Sequence, residues 1–234
     1  MAKGKLYLIP TPLGEEVLHT IPEYVKDIIS DIDFFIVEKA KTARRFIKKS
    51  GTSKPIPELT FYELNKRTVK SEIFDFLKPL EEGNDMGMMS EAGSPGVADP
   101  GAIVVRLAHR LGIEVVPLVG PSSILMALMG SGMNGQHFAF VGYLSPKRNE
   151  LAKELRKLEQ QTRRNNQTQI FIETPYRNKN VIETALHVLA PETYFCIAAD
   201  ISLPTEFIKT KKIKDWRKTK LPDLHKRPAI FLIN

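Results

Sequence analysis

Met88-Met-Ser-Glu-Ala-Gly-Ser-Pro-Gly-Val-Ala-Asp-Pro-Gly101 is the stretch whose reading decides the fold. Glycine at 93, 96 and 101 and proline at 95 and 100 exclude a helix or a strand along its length, because proline withholds an amide donor and glycine is conformationally loose. Ahead of it lies Asp85-Met-Gly-Met-Met89, an apolar run of buried-strand length; behind it, Ala102-Ile-Val-Val-Arg-Leu-Ala-His-Arg-Leu111 reads as an apolar helix. Strand, glycine-rich loop and helix is the arrangement with which open α/β sheets build ligand sites at strand carboxyl ends. Such connections usually run about 2–6 residues. A loop this long and this constrained predicts ligand binding, with bare backbone at Gly93 and Gly96 for close approach.

Outward from that stretch the alternation repeats. Strands are expected at 5–9, 34–37, 85–89 and 114–119, with a short one inside 55–63. Helices are expected at 21–29, 42–49, 69–81, 102–111 and 124–129, the third with Ile73, Phe74, Leu77 and Leu80 on its apolar face. Strand–helix alternation predicts a mainly parallel sheet. Right-handed crossovers then gather the loops after Ile9, Val37, Met89 and Val119 on one edge. A second series follows, with strands at 138–144, 169–173, 193–199, 205–211 and 228–233 and helices at 149–165 and 178–189. The expectation is two α/β domains, 1–120 and 121–234, the first sheet mainly parallel and the second mixed, divided in the glycine- and serine-bearing passage 120–135.

Bulk composition narrows the classes. The 234 residues are 42% hydrophobic and 26% charged, as in folded soluble proteins. One cysteine, Cys196, excludes an intramolecular disulfide and multi-cysteine zinc sites, and fits a reducing, cytoplasmic setting. The first apolar run breaks at Pro10, too short for a signal segment, and no run reaches the roughly 18–20 residues of a membrane span. The formal charge of +7, with basic residues gathered at 39–49, 147–164 and 209–227, suits a phosphate-rich partner. Dinucleotide, Walker-type and nucleophile-elbow motifs are absent. None of the histidines (19, 109, 137, 187 and 225) pairs at metal spacing, so no metal is expected. Ser90, Ser122 and Ser123 lack an obvious partner base, which argues against serine nucleophiles.

The loops together resemble those of the tetrapyrrole methylase superfamily, and within it the bacterial 16S ribosomal RNA 2′-O-ribose methyltransferases. The resemblance rests on Leu6-Tyr-Leu-Ile-Pro-Thr-Pro-Leu-Gly-Glu15, on Ser90-Glu-Ala-Gly-Ser-Pro95 with Ala98-Asp-Pro-Gly101, and on Val119-Gly-Pro-Ser-Ser123. It continues through Phe140-Val-Gly-Tyr-Leu-Ser145 and Glu173-Thr-Pro-Tyr-Arg177, across about four-fifths of the chain. Two segments depart. A family Glu-Asp-Thr-Arg stands here as Glu38-Lys-Ala-Lys41, and Arg-Glu-Leu-Thr-Lys as Ala199-Asp-Ile-Ser-Leu203. The cofactor loops are thus better kept than the substrate loops.

The resemblance implies S-adenosylmethionine as cofactor, folded in a cleft between two domains, and a homodimer acting on RNA of the 30S subunit. Methyl transfer is an in-line displacement in which the protein mainly orients donor and acceptor, which suits a site of glycines, prolines and small hydroxyls. Ser90, Ala92, Gly93 and Val97 would line the cofactor from the central loop, with Pro12, Ser122 and Ser123 from neighbouring loops and Tyr143, Ile172, Pro228 and Ala229 from the second domain. A ribose hydroxyl is a poor nucleophile and gains from a base; Glu38, at a strand end, is the first candidate, with Glu91 and Glu173 as alternatives. Lys39, Lys41, Arg44, Asn65, Lys66 and Arg177 are expected to orient substrate. Two other readings stay open: a methyltransferase acting on a tetrapyrrole or other small molecule, and a cofactor-binding protein without turnover.

Overall fold

The computed structural model describes every residue except Met1, Glu16 and Lys66. The chain divides into two compact units, Met1–Ser122 and Ser123–Asn234, so the division falls after Ser122 rather than after Gly120.

The first unit runs β1 (Leu6–Ile9), α1 (Glu23–Asp31), β2 (Phe34–Val37), α2 (Ala40–Lys49), β3 (Thr60–Glu63), α3 (Lys70–Phe76), α4 (Lys78–Glu81), β4 (Met86–Met89), α5 (Ala102–Arg110) and β5 (Val115–Pro117). Every ladder is parallel, in the order β3-β2-β4-β1-β5. The central β4 is buried at all its residues, which is why it reads as an unbroken apolar run rather than an alternation. Gly87 is required there, since a Cβ would lie 2.5 Å from Ile9 Cδ1 and 2.9 Å from Phe35 Cδ1.

Helices α1 and α2 pack Val25, Ile29, Ala43 and Ile47 against Ile9, Phe35, Val37 and Met89 on one face. On the other face, α3, α4 and α5 pack Ile73, Leu77, Leu80, Val104 and Leu107 against Leu6, Ile36, Met86 and Met88. The connections from β1 to β3 therefore use one face and those from β3 to β5 the other. This reversal puts β2 and β4 side by side with their following helices on opposite faces, and leaves a crevice past their carboxyl ends. Ile9 and Val37 both stand opposite Met89, so the loops after β1, β2 and β4 leave the sheet level with one another.

One expected helix, 69–81, is two. Pro79 has no amide to return to Asp75 and would crowd its carbonyl, so α3 ends at Phe76 and α4 restarts at Lys78. Phe74, expected inside, is 53% exposed.

The second unit runs α6 (Ser123–Ser131), β6 (Phe138–Tyr143), α7 (Arg148–Asn165), β7 (Thr168–Glu173), α8 (Asn178–Val188), β8 (Tyr194–Ala199), β9 (Phe207–Lys212), α9 (Ile213–Trp216) and β10 (Ala229–Ile233). Its sheet, β6-β7-β10-β8-β9, is mixed: β6 and β7 are parallel and the other ladders antiparallel. Phe171, Phe231 and Phe195 stack in sequence at 5.4 and 5.9 Å within the core that α7 and α8 cover. Trp216 closes that core and its Nε1–H donates to Phe195 O at 2.7 Å. Among the described residues no helix is long and apolar enough to cross a membrane.

Candidate active site

Three loops at the carboxyl edge of the parallel sheet are bonded into one cluster. Thr11 and Gly93 pair as an isolated bridge, each amide donating to the other's carbonyl at 2.9 and 3.0 Å. Gly93 takes φ +77°, and a Cβ there would lie 3.2 Å from Leu13 Cδ2 and 3.5 Å from Pro121 O. Thr11 Oγ1 donates to Ser90 O, and the buried Ser90 hydroxyl turns back to the carbonyls of Ala92 and Gly93, all at 3.3 Å. Ser94 Oγ donates to Pro121 O at 3.4 Å. The far half of the central loop folds on Asp99, whose carboxylate accepts the amides of Gly96 (2.8 and 2.9 Å) and Gly101 (2.7 Å). Burial pushes the Asp99 carboxyl above its ordinary range, and those amides pull it back.

Beside this cluster lies a cavity of about 200 Å³. The 11–15 loop forms one wall, α2 another, and Glu38 with Met89–Ala92 close its inner end. From α2 come Thr42, Arg45, Phe46 and Lys49, spaced so that one helix face supplies them all. Glu38 Oε1 accepts the Glu91 amide at 3.0 Å. Burial is the main cause that raises the Glu38 carboxyl; Asp99 and Glu91 add to it, and the Glu91 amide and Lys39 oppose it. The Glu91 carboxylate is occupied by Lys39 Nζ at 3.1 Å and by Thr42 Oγ1 at 2.5 Å. Glu38 has no such cation within bonding distance among the described residues. At the outer end, Arg45 Nη1 meets Glu15 Oε1 at 2.9 Å and Lys49 Nζ donates to Glu15 O at 3.3 Å.

The expected site residues divide into those this cavity gathers and those it does not. Pro12, Ser90, Ala92, Glu38, Glu91 and Lys39 all line it, with Gly93 directly behind. Val97 lies further along the central loop, exposed. Lys41 and Arg44 stand on other sides of α2; the Arg44 guanidinium lies 5.0 Å over the Phe61 ring. Asn65 holds a local turn, its Oδ1 accepting the Arg67 amide at 2.9 Å, in a separate hollow with Tyr62 and Glu72. Lys66 lies outside the described residues.

Ser122 ends the first unit and Ser123 begins α6 in the second. There Tyr143, Ile172 and Ala229 sit on the adjacent strands β6, β7 and β10, with Pro228 just before β10. Tyr143 is exposed beyond an irregularity at Gly142, which takes φ +75°. Glu173 is buried, and its Oε1 accepts the Thr174 amide at 2.5 Å and two donors of Arg177. It thereby anchors Arg177, which the sequence pattern points toward substrate. Arg45, Lys49 and Phe46 line the cavity without being singled out by the sequence. The basic run at 39–49 looks like a single block, whereas helical spacing from Thr42 sorts out the members that share a face.

The chain is similar to known proteins over most of its length. A family model, tetrapyrrole (corrin/porphyrin) methylases, matches residues 5–216. "Ribosomal RNA small subunit methyltransferase I" of Haemophilus influenzae is 28% identical over 94% of this chain and 74% of its own. The protein of the same name from Bacillus subtilis is 31% identical over 80% of this chain and 60% of its own. Among solved structures, the methyltransferase CobJ matches with a TM-score of 0.64 at 18% identity, over 99% of this chain and 94% of that one. A cobalamin biosynthetic enzyme, cobalt precorrin-4 methyltransferase, matches with a TM-score of 0.62 at 15% identity, over 98% and 94%. At these identities the two structures speak to the fold.

Proposed function

The chain belongs to the tetrapyrrole (corrin/porphyrin) methylase family, and from that premise we propose that it transfers a methyl group from S-adenosylmethionine to a ribose 2′-hydroxyl of small-subunit ribosomal RNA. The names of its relatives support an RNA acceptor, as does the charge of +7. The observation that carries the reading is the cavity itself, where a half-buried carboxylate with no ion-pair partner in bonding distance among the described residues, Glu38, shares one space with Lys39, Arg45 and Lys49.

The residues present fit the donor. The central loop turns through positive φ at Gly93, Gly96 and Ala98, and glycine at two of these turns keeps side chains out of the space a nucleoside would approach. Pro12, Ser90, Ala92, Gly93, Val97 and Ser122 would hold it. When bound, the sulfonium supplies an electrophilic methyl group and the driving force for its transfer. The protein's share is to orient the acceptor and take its proton. Glu38 suits the second role, because its Oε1 is fixed by the Glu91 amide and its raised carboxyl is a stronger base than an ordinary one. With the methyl group passing from sulfur to the hydroxyl oxygen and the neutral thioether leaving, Glu38 would take the proton that this oxygen gives up. Glu91, already engaged by Lys39 and Thr42, holds the frame.

The test is incubation of the protein with labelled S-adenosylmethionine and unmethylated 30S subunits, and separately with a porphyrinoid. Label in RNA supports the proposal. Label only in the porphyrinoid supports the second reading, a small-molecule methyltransferase, which the family's description as tetrapyrrole (corrin/porphyrin) methylases favours. Donor binding without transfer to either acceptor supports a protein without turnover, the reading that the altered Glu38–Lys41 segment keeps open. We place the enzyme in the cytoplasm with its ribosomal substrate and as a homodimer, which light scattering would report as twice the chain mass.

A further inference from the structure

We propose that Arg45 and Lys49 form a seat for one backbone phosphate of the RNA, and that Glu15 occupies this seat in the free protein. The inference rests on the RNA reading above and adds to it two residues and a competing anion. Arg45 and Lys49 lie one turn apart on α2 and share a face, at the outer end of the cavity whose inner end holds Glu38. A ribose at Glu38 would present its flanking phosphodiester toward that outer end. A guanidinium offers a planar pair of donors that matches two phosphate oxygens, and an ammonium adds a point charge. Phe46, between them in sequence and lining the same wall, gives the sugar an apolar neighbour.

Glu15 already imitates such a ligand. Its carboxylate takes Arg45 Nη1 at 2.9 Å, and its main-chain oxygen takes Lys49 Nζ at 3.3 Å. The Arg45 and Glu15 side chains are 48% and 77% exposed, so the pair is screened and weak and an incoming phosphate can displace it. Of the cations at 39–44 that the sequence points toward substrate, Lys39 lines the cavity, and Lys41 and Arg44 do not.

The experiment measures anisotropy of a fluorescein-labelled mixed-sequence RNA oligonucleotide across a salt series, for wild type, R45Q/K49Q and E15Q. Labelled methyl transfer into 30S subunits is measured in parallel, and thermal melts confirm folding. R45Q/K49Q should bind roughly tenfold more weakly, with a salt slope reduced by about 0.7–0.9, the loss of one phosphate contact. E15Q should bind about threefold more tightly at low salt, an advantage that shrinks as salt rises. Unchanged affinity and slope in a folded R45Q/K49Q protein would overturn the seat. Should wild type label RNA while R45Q/K49Q keeps its KM, the RNA reading stands and the seat falls. Should the variants shift binding as stated while no label enters RNA, the seat stands and the methyl-acceptor reading falls. If wild type neither binds nor labels RNA, both fall.

Discussion

Glu38 Oε1 accepts the backbone N–H of Glu91 at 3.0 Å, which ties the end of β2 to the loop after β4. These strands flank the point where the chain's connections change face, so one hydrogen bond spans the crevice in which an open parallel sheet places its ligand. The bond orients a carboxylate that burial has already made more basic.

Replacing Glu38 by glutamine should separate chemistry from stability. Glutamine Oε1 can still accept the Glu91 amide, so the frame persists, while kcat should fall by about 10²–10⁴. The stability sign follows from the direction of the shift. A carboxyl raised by folding contributes stability below its ordinary range and loses it as pH rises through the raised value. At neutral pH the E38Q melt should therefore be no lower than that of wild type. In activity the sign is opposite: the ionised form works, so kcat/KM should rise with pH along an acid limb displaced above the ordinary carboxylate range. E38Q should lack that limb.

Gly93→Val tests the stitched loops. A side chain at φ +77° would be strained, and would press on Leu13 and approach Pro121 O. Calorimetry should show donor affinity lowered by at least roughly tenfold, on the order of 1.4 kcal/mol, with the protein still folded. Gly96→Ala is the comparison, since its Cβ would meet nothing within 4 Å. It should cost about 1–2 kcal/mol of stability from left-handed backbone alone. Undiminished donor binding in Gly93→Val would remove that residue from the site.

Arg177→Ala should destabilise the second unit. It strips the guanidinium from Glu173, whose side chain is 1% exposed. An uncompensated buried charge of this kind costs about 3–5 kcal/mol, readable as a shift in the denaturation midpoint. Replacing Glu173 and Arg177 together by apolar residues of similar volume should recover much of that loss, because no charge is then left behind.

Cys196 should be silent in the native protein. Burial pushes its thiol up to about 11, so little thiolate exists near neutrality and solvent does not reach it. A thiol-reactive dye at pH 8 should label it only after denaturant is added. Rapid labelling without denaturant would place Cys196 outside the core.

Much of this fold is legible in the sequence because its causes are local. The apolar run of β4 and the glycine–proline chemistry of 90–101 point to a strand ending in a shaped loop, and parallel topology then brings Pro12, Glu38 and Ser90 to one edge. Two kinds of feature are not legible. The break at Pro79 is masked by an apolar periodicity that runs through it, although the missing donor to Asp75 is a local fact. The pairing of Glu15 with Arg45 and Lys49 depends on how the first loop lies over α2, a tertiary relationship that spacing along the chain does not encode. Glu173 and Arg177, four apart across a strand–helix joint, look in sequence like a base and a substrate cation, yet in the fold they satisfy each other.

The most direct measurement of the central claim is alkaline hydrolysis of 16S RNA labelled by this protein from methyl-labelled S-adenosylmethionine. Alkali cleaves RNA through a free 2′-hydroxyl, so a methylated ribose survives inside a dinucleotide. The account predicts label in alkali-resistant dinucleotides, abolished by E38Q. Label in mononucleotides, or an RNA left unlabelled by a folded, donor-binding protein, would contradict it.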